Sequence, residues 1–280
     1  MKIAVLLATF NRREKTLSCL HQLFDQVLPR NVEIEVFLTD DASPDGTAVA
    51  VEALYPSVHI LEGSGSLFWA GGMRNSWNAA LKDEFDHYLL LNDDTLLKGA
   101  ALYRLISYAF KKPDAILIGT TADSRGKVSY GGRKLYDQHK VQSFSVYSDT
   151  ELIECDLANA NIMLVPHIVV EAVGILSDSY THSIADYDYT IRARKAGFHS
   201  YVVPGILGYC VDDHGNNWRS SGVPLSERVK YLKSPKGLAY KEYLHFIRQH
   251  FPQHLPAAFI KLWMKTLFPG LWDRFKVQHA

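Results

Sequence analysis

His87-Tyr88-Leu89-Leu90-Leu91-Asn92-Asp93-Asp94-Thr95 is an apolar run of strand length that ends in two adjacent carboxylates. A short apolar run bounded by turn residues reads as a buried strand, and open α/β sheets bind ligands at the carboxyl ends of their strands. Asn, Asp and Thr are also ordinary turn and N-cap residues, so the pair alone fits a plain turn. Its chemical reading is a divalent-cation site, since hard cations such as Mg²⁺ take carboxylate oxygens and share their shell with substrate phosphates.

The residues upstream supply the sheet. Residues 2–8 (KIAVLLA) form a continuous apolar run that suits a parallel strand covered on both faces. Thr9-Phe10-Asn11-Arg12 then leads into a helix over about 13–25, with Leu17, Leu20, Leu23 and Phe24 on one stripe. Residues 33–39 (EIEVFLT) are a second strand, followed by the polar loop Asp40-Asp41-Ala42-Ser43-Pro44-Asp45-Gly46 and a helix over 47–54. A short third strand falls at 58–61. Three strand–helix units in succession imply right-handed crossovers and a parallel sheet. Neither a G-x-G-x-x-G turn nor a G-K-[ST] phosphate loop is present. Residues 63–72 (GSGSLFWAGG) instead read as a glycine-rich loop before a helix at 73–81, its glycines allowing close approach to a ligand and the helix amides favouring a phosphate.

Downstream of the acid pair come a helix over 98–111 and a strand at 115–119. From about 121 the texture changes to short alternating segments punctuated by Gly126, Gly131 and Gly132, as in antiparallel hairpins, and residues 157–166 (LANANIMLVP) read as one strand returning to the core. Residues 183–198 describe a helix with acids at its start, bases in its last turn and Gly197 as its cap. Capping explains one aspartate there and leaves Asp186 or Asp188 for another task; a carboxylate at a helix mouth is a candidate general base. After an apolar strand at 205–211, His214 lies beside Asp212 and Asp213 and is a candidate metal ligand.

The 280 residues are 47% hydrophobic and 21% charged, the mark of a packed globule. The zero net charge implies no attraction to nucleic acid, yet residues 226–280 carry ten Lys/Arg against three Asp/Glu, a basic tail on an acidic body. Cys19, Cys155 and Cys210 are scattered and lack metal-ligand spacing, which fits a reducing compartment. No signal peptide and no run of about 18 apolar residues is expected, so the body should be cytoplasmic.

Together ATFNR after the first strand, TDDASPDGT after the second, NDDT, and ADYDYTIRARKAG resemble glycosyltransferase family 2, the inverting GT-A enzymes, especially bacterial members that build surface polysaccharides. The resemblance covers about residues 1–215. It implies an α/β GT-A fold: a mostly parallel central sheet flanked by helices, a smaller antiparallel sheet, and beyond it a helical tail. Residues 1–224 would be the catalytic domain, with a nucleotide-sugar half to about 120 and an acceptor half to 224, and residues 225–280 the tail. Thr9 and Asp41, with Asp40 as substitute, match positions holding base and ribose. Asn11, Arg12, Gly71, Gly72 and Arg74 join the nucleotide side. Asp94 matches the metal-ligating acid and Asp93 its partner on ribose or metal; His214 is the late metal- or diphosphate-contacting histidine, and the metal is Mn²⁺ or Mg²⁺. Asp186 matches the catalytic base. The pattern departs where Asn92-Asp93-Asp94 replaces a literal Asp-x-Asp and Ala185 replaces a Glu, which leaves open whether Asp188 shares the base's work as a second catalytic carboxylate.

The implied activity is transfer of a sugar from a UDP or dTDP donor to a saccharide or lipid-linked acceptor. The rival readings are a sugar nucleotidyltransferase, whose glycine-rich basic loop ATFNRR lacks, and a non-catalytic nucleotide-sugar binder, against which Asp94 and Asp186 speak. The tail reads as helices at 225–232, 240–251 and 257–268 with apolar faces and basic residues. It would pack on the body, form a homodimer, or lie on the anionic inner face of the plasma membrane.

Overall fold

The structure, a computed structural model, describes residues 1–210 and 222–271. The apolar runs become strands buried on both faces. β1 (Lys2–Thr9), α1 (Arg13–Phe24), β2 (Glu33–Asp40), α2 (Thr47–Leu54), β3 (His59–Glu62), α3 (Phe68–Ala80) and β4 (His87–Leu91) alternate along the chain. The four strands run parallel in the order β3-β2-β1-β4. After β5 (Leu96–Leu97), α4 (Ala101–Ala109) and β6 (Ile116–Ala122) come the short strands β7 (Val128–Tyr130), β8 (Gly132–Leu135), β9 (Ser143–Val146), β10 (Ile153–Cys155) and β11 (Leu157–Ala158). β11, β8 and β9 make a small antiparallel sheet. β12 (Ile162–Pro166) then enters the main sheet between β4 and β6, antiparallel to both. The central sheet is therefore mixed, parallel through its amino-terminal half.

α5 (His167–Val173), α6 (Ala185–Lys195) and β13 (Ser200–Tyr209) complete the body, and α7 (Leu225–Lys233), α8 (Tyr240–His250) and α9 (Leu255–Leu267) follow. Phe246, Ile247, Phe251 and Ala258 are buried in the same core as Met73, Trp77, Tyr88 and Tyr189. Burying a Phe or Ile side chain is worth about 1.5–3 kcal/mol, so α8 is held to the body by apolar contact before any polar bond is considered. No helix among the described residues is long and apolar enough to cross a membrane.

Three expectations change. α3 starts at Phe68, so Gly71 and Gly72 lie within a helix and not in a loop. A Cβ on Gly72 would stand 2.7 Å from that of Ala8, which identifies this glycine as the contact that lets α3 lie close on β1. Residues 157–166 are two strands, broken at 159–161. The buried face of α1 is Thr16, Cys19, Leu20 and Leu23; Phe24 is exposed and stacks on Tyr55.

Candidate active site

The acid pair sits where β4 ends. Asp93 is buried, and one amino group of Arg12 donates to both acids, 3.1 Å to Asp93 Oδ1 and 2.8 Å to Asp94 Oδ2. Burial pushes the Asp93 carboxyl up to about 6, against the pull of Arg12. Thr16 Oγ1 lies 3.5 Å from Asp93 Oδ2 and pairs with the buried Thr9 hydroxyl at 2.8 Å. Asn92 turns its side chain to Trp69, whose indole N–H donates at 2.8 Å.

The donor-side aspartates work on their own loops. Asp41 Oδ1 accepts from the Gly65 amide at 2.7 Å, and Oδ2 from Leu67 and Phe68 at 2.8 and 3.1 Å. Three of the roughly four acceptor sites of a carboxylate are thus used in wrapping residues 63–68 around it. Gly63 is needed because a Cβ would fall 2.6 Å from Asp41 Oδ1, and Gly65 because its φ is +82°. Asp40 accepts the Ser43 amide and caps α2 through Ala48 at 3.1 Å. Asn11 is exposed and its backbone amide donates to Ser43 Oγ. Arg74 is engaged elsewhere: it donates to the carbonyls of Ser177 and Tyr180 at 2.8 and 2.7 Å, tying α3 to the loop before α6. Gly71 is buried in the first turns of α3.

Asp186 and Asp188 part company. Asp186 is half-buried at the start of α6, and among the described residues its carboxylate bonds only to neutral groups: the Tyr187 amide at 2.9 Å, Ala160 at 3.3 Å and the Asn159 amide side chain at 3.4 Å. Burial pushes this carboxyl up to about 6. Ile184, just ahead of it, has φ +72°, an unfavourable conformation for a β-branched residue. Asp188 is fully buried, bonded to Arg192 Nε at 2.7 Å, His250 Nε2 at 2.8 Å and Tyr180 OH at 3.2 Å. Those partners outweigh burial and hold its carboxyl below the ordinary range. Asp188 has no exposed atom and both its oxygens are engaged, so the structure does not bring it to the surface beside Asp186.

Residues 159–161 join the two acidic centres, and the sequence reading passed over them. Ala160 and Asn159 hold Asp186, while the Asn161 carbonyl accepts the Asn92 amide at 3.2 Å and its side chain reaches Cys210 Sγ at 3.4 Å. Cys210 in turn lies 3.5 Å from Asp94 Oδ1. Two asparagines inside an apolar strand pattern were the available signal. His214 lies outside the described residues, and among those described no group of three or more His, Cys, Asp or Glu could hold a metal. Asp93 and Asp94 nevertheless fit one: their oxygens converge on a single cationic nitrogen, and one or two carboxylates plus substrate phosphates are the usual Mg²⁺ shell.

The surrounding architecture has solved counterparts. Staphylococcus aureus TarS superposes with a TM-score of 0.55 at 19% identity over 90% of this chain, which spans 44% of TarS. A TarS 1–349 complex with UDP-GlcNAc gives 0.54 at 17% identity, covering 90% of this chain and 73% of that one. The mannosyltransferase PcManGT from Pyrobaculum calidifontis, in complex with GDP-Man and Mn²⁺, gives 0.55 at 14%, with 91% and 72% covered. No curated protein matches the chain. The fold is thus the GT-A type that the sequence implied, with its small sheet and carboxyl-terminal helices. Residues 4–158, more than half of the chain and including Arg12, Asp41 and the acid pair, match Glycosyl transferase family 2, and the chain belongs to that family.

Proposed function

We propose that the protein transfers a glycosyl group, with inversion, from a nucleoside-diphosphate sugar, UDP- or dTDP-linked, to a hydroxyl of a saccharide or lipid-linked acceptor in bacterial surface-polysaccharide synthesis. The observation that carries this reading is the link at 159–161 between a cation-gathering acid pair and a part-exposed carboxylate that, among the described residues, has no cationic hydrogen-bond partner. The acceptor oxygen bonds to the anomeric carbon as the bond to the diphosphate breaks, and Asp186 takes the hydroxyl proton. A base whose pKa lies near the working pH is suited to that task. One carboxylate on the face opposite the leaving group serves a single displacement, without the paired acids of retaining glycosidases. Asp93 and Asp94 would hold Mn²⁺ or Mg²⁺, which supplies Lewis-acid neutralisation of the leaving diphosphate. Arg12, displaced from the acids, would meet phosphate oxygens. The TarS complexes with UDP and UDP-GlcNAc and the PcManGT complex with GDP-Man and Mn²⁺ are consistent with such a donor side. Release of nucleoside diphosphate from candidate donors mixed with acceptor saccharides tests the reading; saturable binding without release, across donors and acceptors, would reduce the protein to a binder.

The tail's apolar residues divide between two faces. Ala258 and Leu262 point inward, whereas Phe259, Ile260, Leu267, Phe268 and Leu271 are exposed beside the exposed Lys261. We propose that this outer face lies on an anionic membrane surface. Because α8 belongs to the core, truncation is the wrong test. Replacing Phe259, Ile260 and Phe268 with serine is expected to abolish salt-sensitive sedimentation with anionic liposomes and leave the melting temperature near that of the wild type. Sedimentation of both proteins alike, or of neither, removes the proposal.

A further inference from the structure

α8 is tied to the turn that carries Asp186 at two points, one on each side of it. Before it, the Thr181 amide and hydroxyl both donate to Glu242, at 3.1 and 2.5 Å. After it, His250 Nε2 meets Asp188 at 2.8 Å, both side chains being almost wholly buried. Lys195 lies 3.0 Å from the other ring nitrogen of His250. An ammonium only donates, so Nδ1 accepts, and Nε2 carries the proton given to Asp188. Between the two ties stands Ile184 at φ +72°. A bulky residue in that conformation needs a surround that enforces it.

The same turn is held from the donor side. The Ala70 amide in the first turn of α3 donates to the Thr181 carbonyl at 3.0 Å, and Arg74 grips the carbonyls of Ser177 and Tyr180. The carboxylate of Asp186 is itself weakly fixed, two of its three bonds being 3.3 Å or longer. Its place in the site is therefore dictated by the backbone from Thr181 to Asp188, clamped between α3 and α8.

We propose that Glu242 and His250, on helix α8, are positioning residues that set the place and surroundings of Asp186. This rests on the reading of Asp186 as the base, deepening it by making the tail a working part of the site. His250 acts through Asp188, and Glu242 through Thr181.

Carbon-13 NMR titration of the Asp186 carboxyl in the full chain, assigned with Asp186→Asn, tests it without a substrate. In the wild type the midpoint is expected near 6, where burial sets it. In His250→Ala and Glu242→Gln the turn loosens, water reaches the carboxylate, and the midpoint falls by about half a unit or more, roughly threefold in proton affinity. His250→Gln retains an N–H for Asp188 and restores the wild-type midpoint, which mere stabilisation by an aromatic ring would not. Should His250→Ala fail to fold, Glu242→Gln and His250→Gln still decide. A lowered melting temperature with an unmoved Asp186 midpoint overturns the proposal and leaves α8 as packing. The base reading fails separately, if Asp186→Asn releases nucleoside diphosphate as fast as the wild type.

Discussion

Asp93–Asp94 and Asp186–Asp188 are two acid pairs that the molecule treats oppositely. Asp93 and Asp94, at the end of β4, share one guanidinium. Asp186 and Asp188, at the start of α6, divide their partners: the cation Arg192 and the imidazole of His250 go to Asp188, and among the described residues Asp186 keeps only amides. A shared cation makes two carboxylates converge on one point, the geometry that suits exchange for a metal. An unequal division makes one acid an anchor and leaves its neighbour free to gain a proton. Proximity in sequence is thus a poor guide to shared chemistry; what decides is where the positive charge is spent.

The comparison breaks most visibly at Asp186. Asp186→Asn keeps the side chain's shape, and turnover is expected to fall roughly 10²–10⁴-fold with donor affinity unchanged. Since the base must be ionised to act, the wild-type rate should rise with pH through about 6. Stability runs the other way: a carboxyl whose folded pKa is raised favours the fold at low pH, and that contribution is lost as pH climbs from about 4 to about 6. If Asp186→Asn turns over normally and Asp188→Asn is inert though folded, the roles are reversed.

Asp188→Asn should injure the fold before the chemistry. Breaking a buried pair costs about 3 kcal/mol at the lower end, appropriate because Arg192 keeps the carbonyls of Val173 and Ile175, and calorimetry should show Tm lowered by roughly 6–12 °C. The Asp188 carboxyl is held low, so its share of stability is present at neutral pH and is lost as pH falls through its folded value. An unchanged Tm would strip Asp188 of its anchoring role. At the other pair, Asp94→Ala should weaken nucleoside-diphosphate binding in Mn²⁺ by at least about tenfold, with a smaller loss in chelator. Equal affinity with and without metal, in both proteins, would sharpen the contrast in a different sense, leaving Arg12 as the cation that matters.

Much of this was legible because it is local. The runs at 2–8, 33–39 and 87–91 have the length and composition of buried strands, and Gly197, at φ +94°, ends α6 as its place after a basic turn implied. Asp93 and Asp94 could be read at a strand's end for the same reason. The misreadings are non-local. Gly72 looked like part of a ligand loop because the demand for a residue without a side chain comes from Ala8, more than sixty residues away on β1. Nothing in the apolar run of residues 162–166 states that it enters antiparallel between β4 and β6. The partnership of Asp188 with His250 spans 62 residues and has no periodicity to betray it.

That last separation has a consequence for the order of events during synthesis. The parallel strands, the acid pair and the Asp186 helix all leave the ribosome before α8 is made. Contacts between distant residues form late, since loop closure must precede their gain. A nascent chain that has reached β13 can already assemble its sheet, yet the turn before Asp186 has neither Glu242 nor His250 to hold it. On the proposal above, α8 acts as a timing device: the turn that carries Asp186 is braced only once translation has passed residue 250.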